Sequence, residues 1–422
     1  MATTTQAASK PGATAPTRTD PIGPPVRDAV EPRTFNTGER AGYDTRLHLE
    51  NAKRQAEERN FGNILIVDSD AHQLNEMTYF QDIAKYIEDE VLRHEVFNGE
   101  AGKLMYPGFR GPQHQSLAGR LVRYRNEHME DLKSDVPPEV EFSRREMSAI
   151  GIDYQVVFPT ALLALGMHPD PGIETAMAWA YTRWLTEEIL PHSPHVKTMV
   201  YLPMNQPEAC LRFVEHFRDH KGVVGWMVTS ARYKPVHANE YMRLYGAIQE
   251  TGLPLSFHAI YHQSERMFEG MNKFISVHAL GFLFYNLVHI TNVIVNGLPE
   301  RFPKLKFLWI EGGLAWIPFM MQRLDNEYLM RSSEAPLLRK LPSDYMREMY
   351  YTSQPIENND YALIESTMKA MNAETQLLFS SDYPHWDFNL PSTIYDLPFL
   401  SEEAKLRILG KNAWDLFQLE RR

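Results

Sequence analysis

A rhythm constrains this chain more than any other feature. Eight short runs rich in apolar and β-branched residues recur along it, each followed by a stretch long enough for a helix. The runs are NILIV (63–67), YQVVF (154–158), TMVYL (198–202), VVGWMV (223–228), LPLSF (253–257), LKFLWI (305–310), MYYT (349–352) and LLFS (377–380). Continuous apolar runs of this length read as strands buried on both faces, and strands alternating with helices build a parallel sheet. Eight such units in 422 residues predict an α/β chain folded as a closed (β/α)8 TIM barrel over residues 61–422. The piece between the first and second runs, residues 75–150, exceeds a plain crossover and reads as an insertion over the barrel mouth. Ahead of the barrel, residues 1–30 are rich in Ala, Thr and Pro without an apolar period, and residues 31–60 are polar with room for one short helix. Residues 1–60 therefore read as an extended N-terminal arm suited to wrapping a neighbouring subunit, in a homo- or hetero-oligomer.

Composition excludes several classes. Lys plus Arg number 43 against 54 Asp plus Glu, a formal charge of −11. An acidic chain repels phosphate backbones, which argues against a nucleic-acid partner. The lone cysteine, Cys210, can form no internal disulfide and no cysteine-based zinc site; it reads as a small buried helix residue. The opening MATTTQAASK lacks the charged and apolar regions of a secretory leader, so the cytoplasm is the expected compartment. The most apolar long stretch, 274–295, is interrupted by His278, Asn286, His289 and Asn292, and reads as a buried helix rather than a membrane span.

Barrel enzymes carry their chemistry at the C-terminal ends of the strands. The first run leads into Asp68-Ser69-Asp70-Ala71-His72, where alternation puts 68, 70 and 72 on one side of an extended chain. The fifth ends in His258, the sixth in Glu311-Gly312-Gly313, and the eighth in Ser381-Asp382 followed by Tyr383-Pro384-His385-Trp386-Asp387. Carboxylates and imidazoles from four strand ends converge on one mouth, where like charges repel unless a cation or protons offset them. A metal-free ion-pair network is the alternative reading. No Walker A loop, dinucleotide fingerprint or nucleophile-elbow serine follows a suitable strand.

Several stretches carry a family resemblance: IVDSDAHQ, the SFHA strand end, GLPERFPKLKFLWIEGGLAWIPFMMQRLD, LLFSSDYPH and KLRILGKNAWDLFQL. Together they resemble the amidohydrolase-related branch of the amidohydrolase superfamily, which includes aminocarboxymuconate semialdehyde decarboxylase and the resorcylate decarboxylases. The resemblance implies one divalent metal held by Asp70, His72, His258 and Asp382, with Asp68 in a structural position before the pair. It also places a His on the sixth strand, where this chain has Glu311. Asp70, Asp382 and Glu311 carry −3 when ionised, so one M²⁺ ion leaves −1 and two leave +1. Such a set suits Mn or Fe at least as well as Zn. Glu311, with His385 or His278, is the candidate holder of a second ion. His278, Tyr383 and Trp386 are candidate walls of the substrate pocket, and His262 is read as lining it or facing solvent. Arg110 and Arg145 are weighed as carboxylate holders against a solvated surface role.

Three functions follow. The leading one is metal-assisted hydrolysis or non-oxidative decarboxylation of a small organic substrate, with Asp382 as ligand and proton shuttle and Glu311 beside it as a catalytic candidate. The second is a dinuclear Fe or Mn oxygenase on the same fold, motivated by Glu311. The third is a silent barrel serving as a partner subunit.

Overall fold

The computed structural model describes residues 45–73, 80–98, 135–232, 234–260, 268, 270–271, 274–385 and 387–421. Its centre is one eight-stranded parallel sheet whose strands lie in sequence order. The strands are β1 Val67–Gln73, β2 Tyr154–Pro159, β3 Val196–Tyr201, β4 Val223–Thr229, β5 Leu255–His258, β6 Phe307–Ile310, β7 Tyr350–Thr352 and β8 Leu377–Leu378. Almost every strand residue is buried, as expected when a sheet is curled on itself and wrapped in helices. Strand β8 is only two residues long, and the residues after it complete the barrel. Ser69 N donates to Phe379 O at 2.9 Å, Asp382 N to Asp70 O at 2.7 Å and His72 N to Tyr383 O at 2.8 Å.

The first strand corrects the sequence reading. Phe61–Asn63 is a single 3-10 turn, and the strand begins at Val67, where the apolar run ends. Ile66 instead leads in, its N–H donating to Asp153 Oδ2 at 2.8 Å. The strand itself holds Asp68, Ser69, Asp70 and His72, all buried. An apolar criterion misses such a strand because its inner residues are chosen for chemistry. Its pairing with β2 slips between Asp68 and Ala71, so strict alternation does not carry from Asp68 to His72.

The larger helices are α1 Thr45–Glu58, α2 Pro138–Ile150, α3 Pro171–Trp184, α4 Pro207–Phe217, α5 Met242–Thr251, α6 Phe274–Val295, α7 Trp316–Arg331 and α8 Tyr361–Ala370. Proline at the first turn starts α2, α3 and α4, where its missing N–H is no loss. Asp170 caps α3 by accepting from Gly172 N at 2.7 Å, and Asp360 caps α8 by accepting from Ala362 N at 2.9 Å. α1, at the end of the expected arm, packs on α2, and Arg59 just beyond it forks onto both Asp396 oxygens at 2.9 and 2.6 Å. α2 is the crossover helix from β1 to β2, so the part of the expected insertion at 99–134 lies outside the described residues. Gly410 is needed because a Cβ there would run into the Leu65 backbone, which the C-terminal helical segment crosses at contact. α6 is long and apolar enough, by length and composition, to cross a membrane, and half of its most apolar stretch is buried. Val277, Asn286, His289, Ile290 and Val293 face the protein, while Ile275, Leu280 and Val288 are exposed.

Candidate metal centre

The barrel brings four of the expected ligands to one point. His72 Nε2 lies 3.4 Å from Asp70 Oδ1 and 3.1 Å from Asp382 Oδ1, and His258 Nε2 lies 3.3 Å from Asp70 Oδ1. Two ligand groups result, Asp70 with His72 and His258, and His72 with Asp382 and His385, and all their residues are buried. His72 belongs to both. Two ligands of one ion at about 2.1 Å stand roughly this far apart. Asp70 Oδ2 is buried with no hydrogen-bond partner among the described residues, and His72 Nε2 also lacks a hydrogen bond of good geometry. Unsatisfied buried atoms with a lone pair to give fit a cation better than a closed hydrogen-bond network. Two carboxylates and three imidazoles form a mixed oxygen and nitrogen set suited to Mn, Fe or Zn.

Neighbouring groups orient the ligands. His258 Nδ1 stands 3.0 Å from Ala259 O, which fixes its proton there and turns Nε2 toward Asp70. Thr160, just past β2, places its hydroxyl 3.0 Å from His72 Nδ1 and 3.3 Å from His385 Nε2. His385 Nδ1 is 2.7 Å from Asp382 Oδ1. Asp68 accepts from Ser381 N at 2.8 Å and from Ser381 Oγ at 2.5 Å, so it clasps the loop that carries Asp382 and stays outside both ligand groups. Beneath β5, Ser230 N donates to His258 O at 2.9 Å, and Ser230 Oγ donates to Asn286 of α6 at 2.6 Å. Burial holds the nearby His289 down at about 4, so it is a neutral member of this brace.

Glu311 stands apart from both ligand groups. Its Oε2 is 3.6 Å from His258 Nδ1, on the side of the ring turned away from Asp70. Its backbone is left-handed, with φ 60°, and its N–H donates to Thr352 Oγ1 at 3.0 Å. His278 sits at the rim, 3.5 Å from Asp387 and likewise outside the ligand groups. Tyr383 is buried against Phe388, with ring centroids 5.1 Å apart. Trp386, His262 and Arg110 lie outside the described residues. Arg145 lines a small cavity with Glu139, Glu146, Gln73 and His72. Its Val157 shares the β2 face of Gln155, whose amide reaches Glu146 of α2, so the cavity lies against the outer wall under α2. The sequence reading passed over Thr160, although it follows β2 as the other site residues follow their strands.

Charge is balanced by protons when no ion is present. Burial alone would raise the Asp70 carboxyl, but His258 and His72 outweigh it and hold it well below the usual range. Burial alone would lower His72, but Asp382 and Asp70 push it up to about 9. Burial pushes Asp68 up to about 7. At neutral pH the metal-free His72 is therefore protonated, and an ion must displace that proton. Apparent metal affinity should fall about tenfold for each pH unit below about 9, one proton being released per ion bound. Calorimetry at pH 7 in buffers of differing ionisation heat counts that proton, and a count of zero would refute the exchange.

A parallel barrel with a buried carboxylate and imidazole cluster at its C-terminal mouth defines a metal-site enzyme architecture. The amidohydrolase family model matches residues 67–419, and the chain belongs to that family. The γ-resorcylate decarboxylase of a Polaromonas species is 23% identical over 249 residues, covering 56% of this chain and 75% of the relative. The enzyme of the same name from a Rhizobium species is 22% identical over 285 residues, covering 65% and 85%. Among solved structures, 5-carboxyvanillate decarboxylase from Sphingomonas paucimobilis superposes with TM-score 0.60 at 20% identity, over 84% of this chain and 98% of the other. A dihydroxybenzoic acid decarboxylase from Polaromonas, with bound manganese and 2-nitroresorcinol, gives TM-score 0.60 at 19% identity, over 85% and 98%. None of these relatives is an oxygenase, and the oxygenase reading gains no support from them.

Proposed function

We propose that this chain is a divalent-metal-dependent decarboxylase that releases CO2 from a small aromatic carboxylic acid without an oxidant. The observation that carries the reading is the buried cluster of Asp70, His72, His258 and Asp382 at the mouth of a decarboxylase-like barrel. Manganese is the favoured ion, since similar structures hold it. A divalent ion held there supplies positive charge that binds substrate oxygens and stabilises negative charge as the carboxyl group leaves.

The protein's own groups do the rest. Asp70, His72, His258 and Asp382 hold the ion. In the reaction the ring–carboxyl bond breaks, its electron pair stays on the ring carbon, and a proton replaces the lost CO2. Asp382, against His385 at 2.7 Å, is the group placed to hold and deliver that proton. Glu311 is a positioning residue in this reading, its carboxylate lying 3.6 Å from His258 Nδ1, whose hydrogen goes to Ala259 O, and it leaves the ligand groups to others.

The test is manganese-loaded protein offered a panel of hydroxybenzoates and 5-carboxyvanillate, with CO2 release and the ring product followed by NMR. Release should be equal with and without dioxygen. Strict dioxygen dependence, or hydrolysis of amides and esters with no acid decarboxylated, would overturn the proposal.

A further inference from the structure

The barrel mouth has a second polar cluster, on its β3–β4 side. Thr229 pairs in register with His258, so the two side chains share the inner face of the sheet. Tyr201 pairs with Met227, two residues before Thr229, and shares that face too. Together with Gly166, Asn205, Glu174 and Arg232 they bound a small cleft. Adjacent strands lie about 4.8 Å apart, so its Thr229 edge opens one strand spacing from His258.

Two charged groups meet this cleft with capacity to spare. Glu174, in the first turn of α3, is 1% exposed and accepts from Tyr201 OH through Oε1 at 3.1 Å. Its Oε2 is buried with no hydrogen-bond partner among the described residues. Arg232, three residues past β4, donates from Nε to Lys234 O at 2.9 Å and from Nη2 to Tyr241 OH at 2.6 Å. Its Nη1 is buried with no such partner. No ion pair joins Glu174 to Arg232, so one acceptor and one donor face the same space unsatisfied. Buried charged groups are normally hydrogen-bonded, and an arrangement like this fits something that enters between them.

We infer that this cleft is a substrate subsite that reads a neutral hydroxyl, its oxygen accepting from Arg232 Nη1 and its hydrogen donated to Glu174 Oε2. The inference rests on the aryl-acid reading of the metal centre and adds the group recognised at the far end of the ring. A second carboxylate is disfavoured here while Glu174 is ionised, an exclusion that holds above neutral pH because burial pushes this carboxyl up to about 7, and an ammonium is disfavoured by Arg232. A carbonyl satisfies Arg232 and leaves Glu174 unpaired. A hydroxyl satisfies both with one oxygen, which makes this a specificity site for hydroxylated rings.

Two measurements test it. Crystals soaked in resorcinol alone, which has no carboxylate to bind a metal, should show a hydroxyl oxygen between Glu174 and Arg232. In solution, the manganese-loaded protein should bind hydroxybenzoates about tenfold more tightly than benzoate. That ratio should fall toward one in Glu174→Gln, which keeps the side chain's shape, and in Arg232→Met. If Arg232→Met does not fold, the ratio in Glu174→Gln and the soak decide. Water alone in the soaked cleft, with the ratio unmoved by Glu174→Gln, overturns the subsite. Resorcinol seated there in a protein that decarboxylates no acid keeps the hydroxyl subsite and removes the decarboxylase reading. Decarboxylation with a ratio insensitive to Glu174→Gln does the reverse.

Discussion

His258→Ala should yield a folded chain that no longer holds a divalent ion, and the proposed decarboxylation should fall to background with it. His258 supplies a nitrogen from β5 that faces Asp70 across the centre at 3.3 Å, and no other imidazole reaches Asp70 from that side among the described residues. Structural zinc sites bind with roughly 10–16 kcal/mol; on that scale one ligand in four carries about 3 kcal/mol, more than a hundredfold in affinity, and a manganese site, weaker to begin with, falls below detectable occupancy. Asp70 also loses the imidazole that most holds its carboxyl down, and its affinity for a proton rises. Bound manganese after dialysis, read by elemental analysis and by spin resonance, checks the result. Full occupancy in the variant would remove His258 from the ligand set. The fold should survive, because β5 keeps its main-chain pairing with β4 and β6.

Asp382→Asn separates holding the ion from moving the proton. Asparagine keeps the shape, and the main-chain bonds from Asp382 N to Asp70 O and from His385 N to Asp382 O are untouched. It removes a negative charge from the centre and a basic oxygen from the side that meets His385. Metal binding should weaken but saturate at higher concentration. At saturation kcat should still lie about 10²–10⁴ below the native value, the usual contribution of a positioned general acid or base. A saturated variant within threefold of native kcat would show that Asp382 serves only as a ligand.

Legibility in the sequence followed what each strand is asked to do. β2 to β7 stood out because their side chains fill the barrel or pack on helices, and apolar runs report that directly. β1 did not, because its buried residues include Asp68, Asp70 and His72; the run that looked like a strand is its lead-in. β8 looked longer than it is, because 379–383 pairs with β1 as an irregular extension. Asp70, His72, His258 and Asp382 were legible as strand-end polar residues, and the structure brings them together. Glu311 was visible as a carboxylate at the mouth, but spacing gives no hint of which edge of His258 it faces. Glu174 left a fainter trace, a carboxylate at the head of the mostly apolar helix segment ETAMAWAYTRW, and Arg232 across the cleft lies three residues beyond a strand end.

The barrel's join has a consequence for how this chain can change. Its first and last strands are laced by bonds whose donors and acceptors are the residues of the site: Asp382 N meets Asp70 O, and His72 N meets Tyr383 O. The backbone that shuts the cylinder is thus the gauge that sets the spacing of its candidate ligands. Adding or deleting one residue on either side of that join would shift the lacing by a step and turn a ligand to the outer wall. Length at this seam is therefore fixed by chemistry.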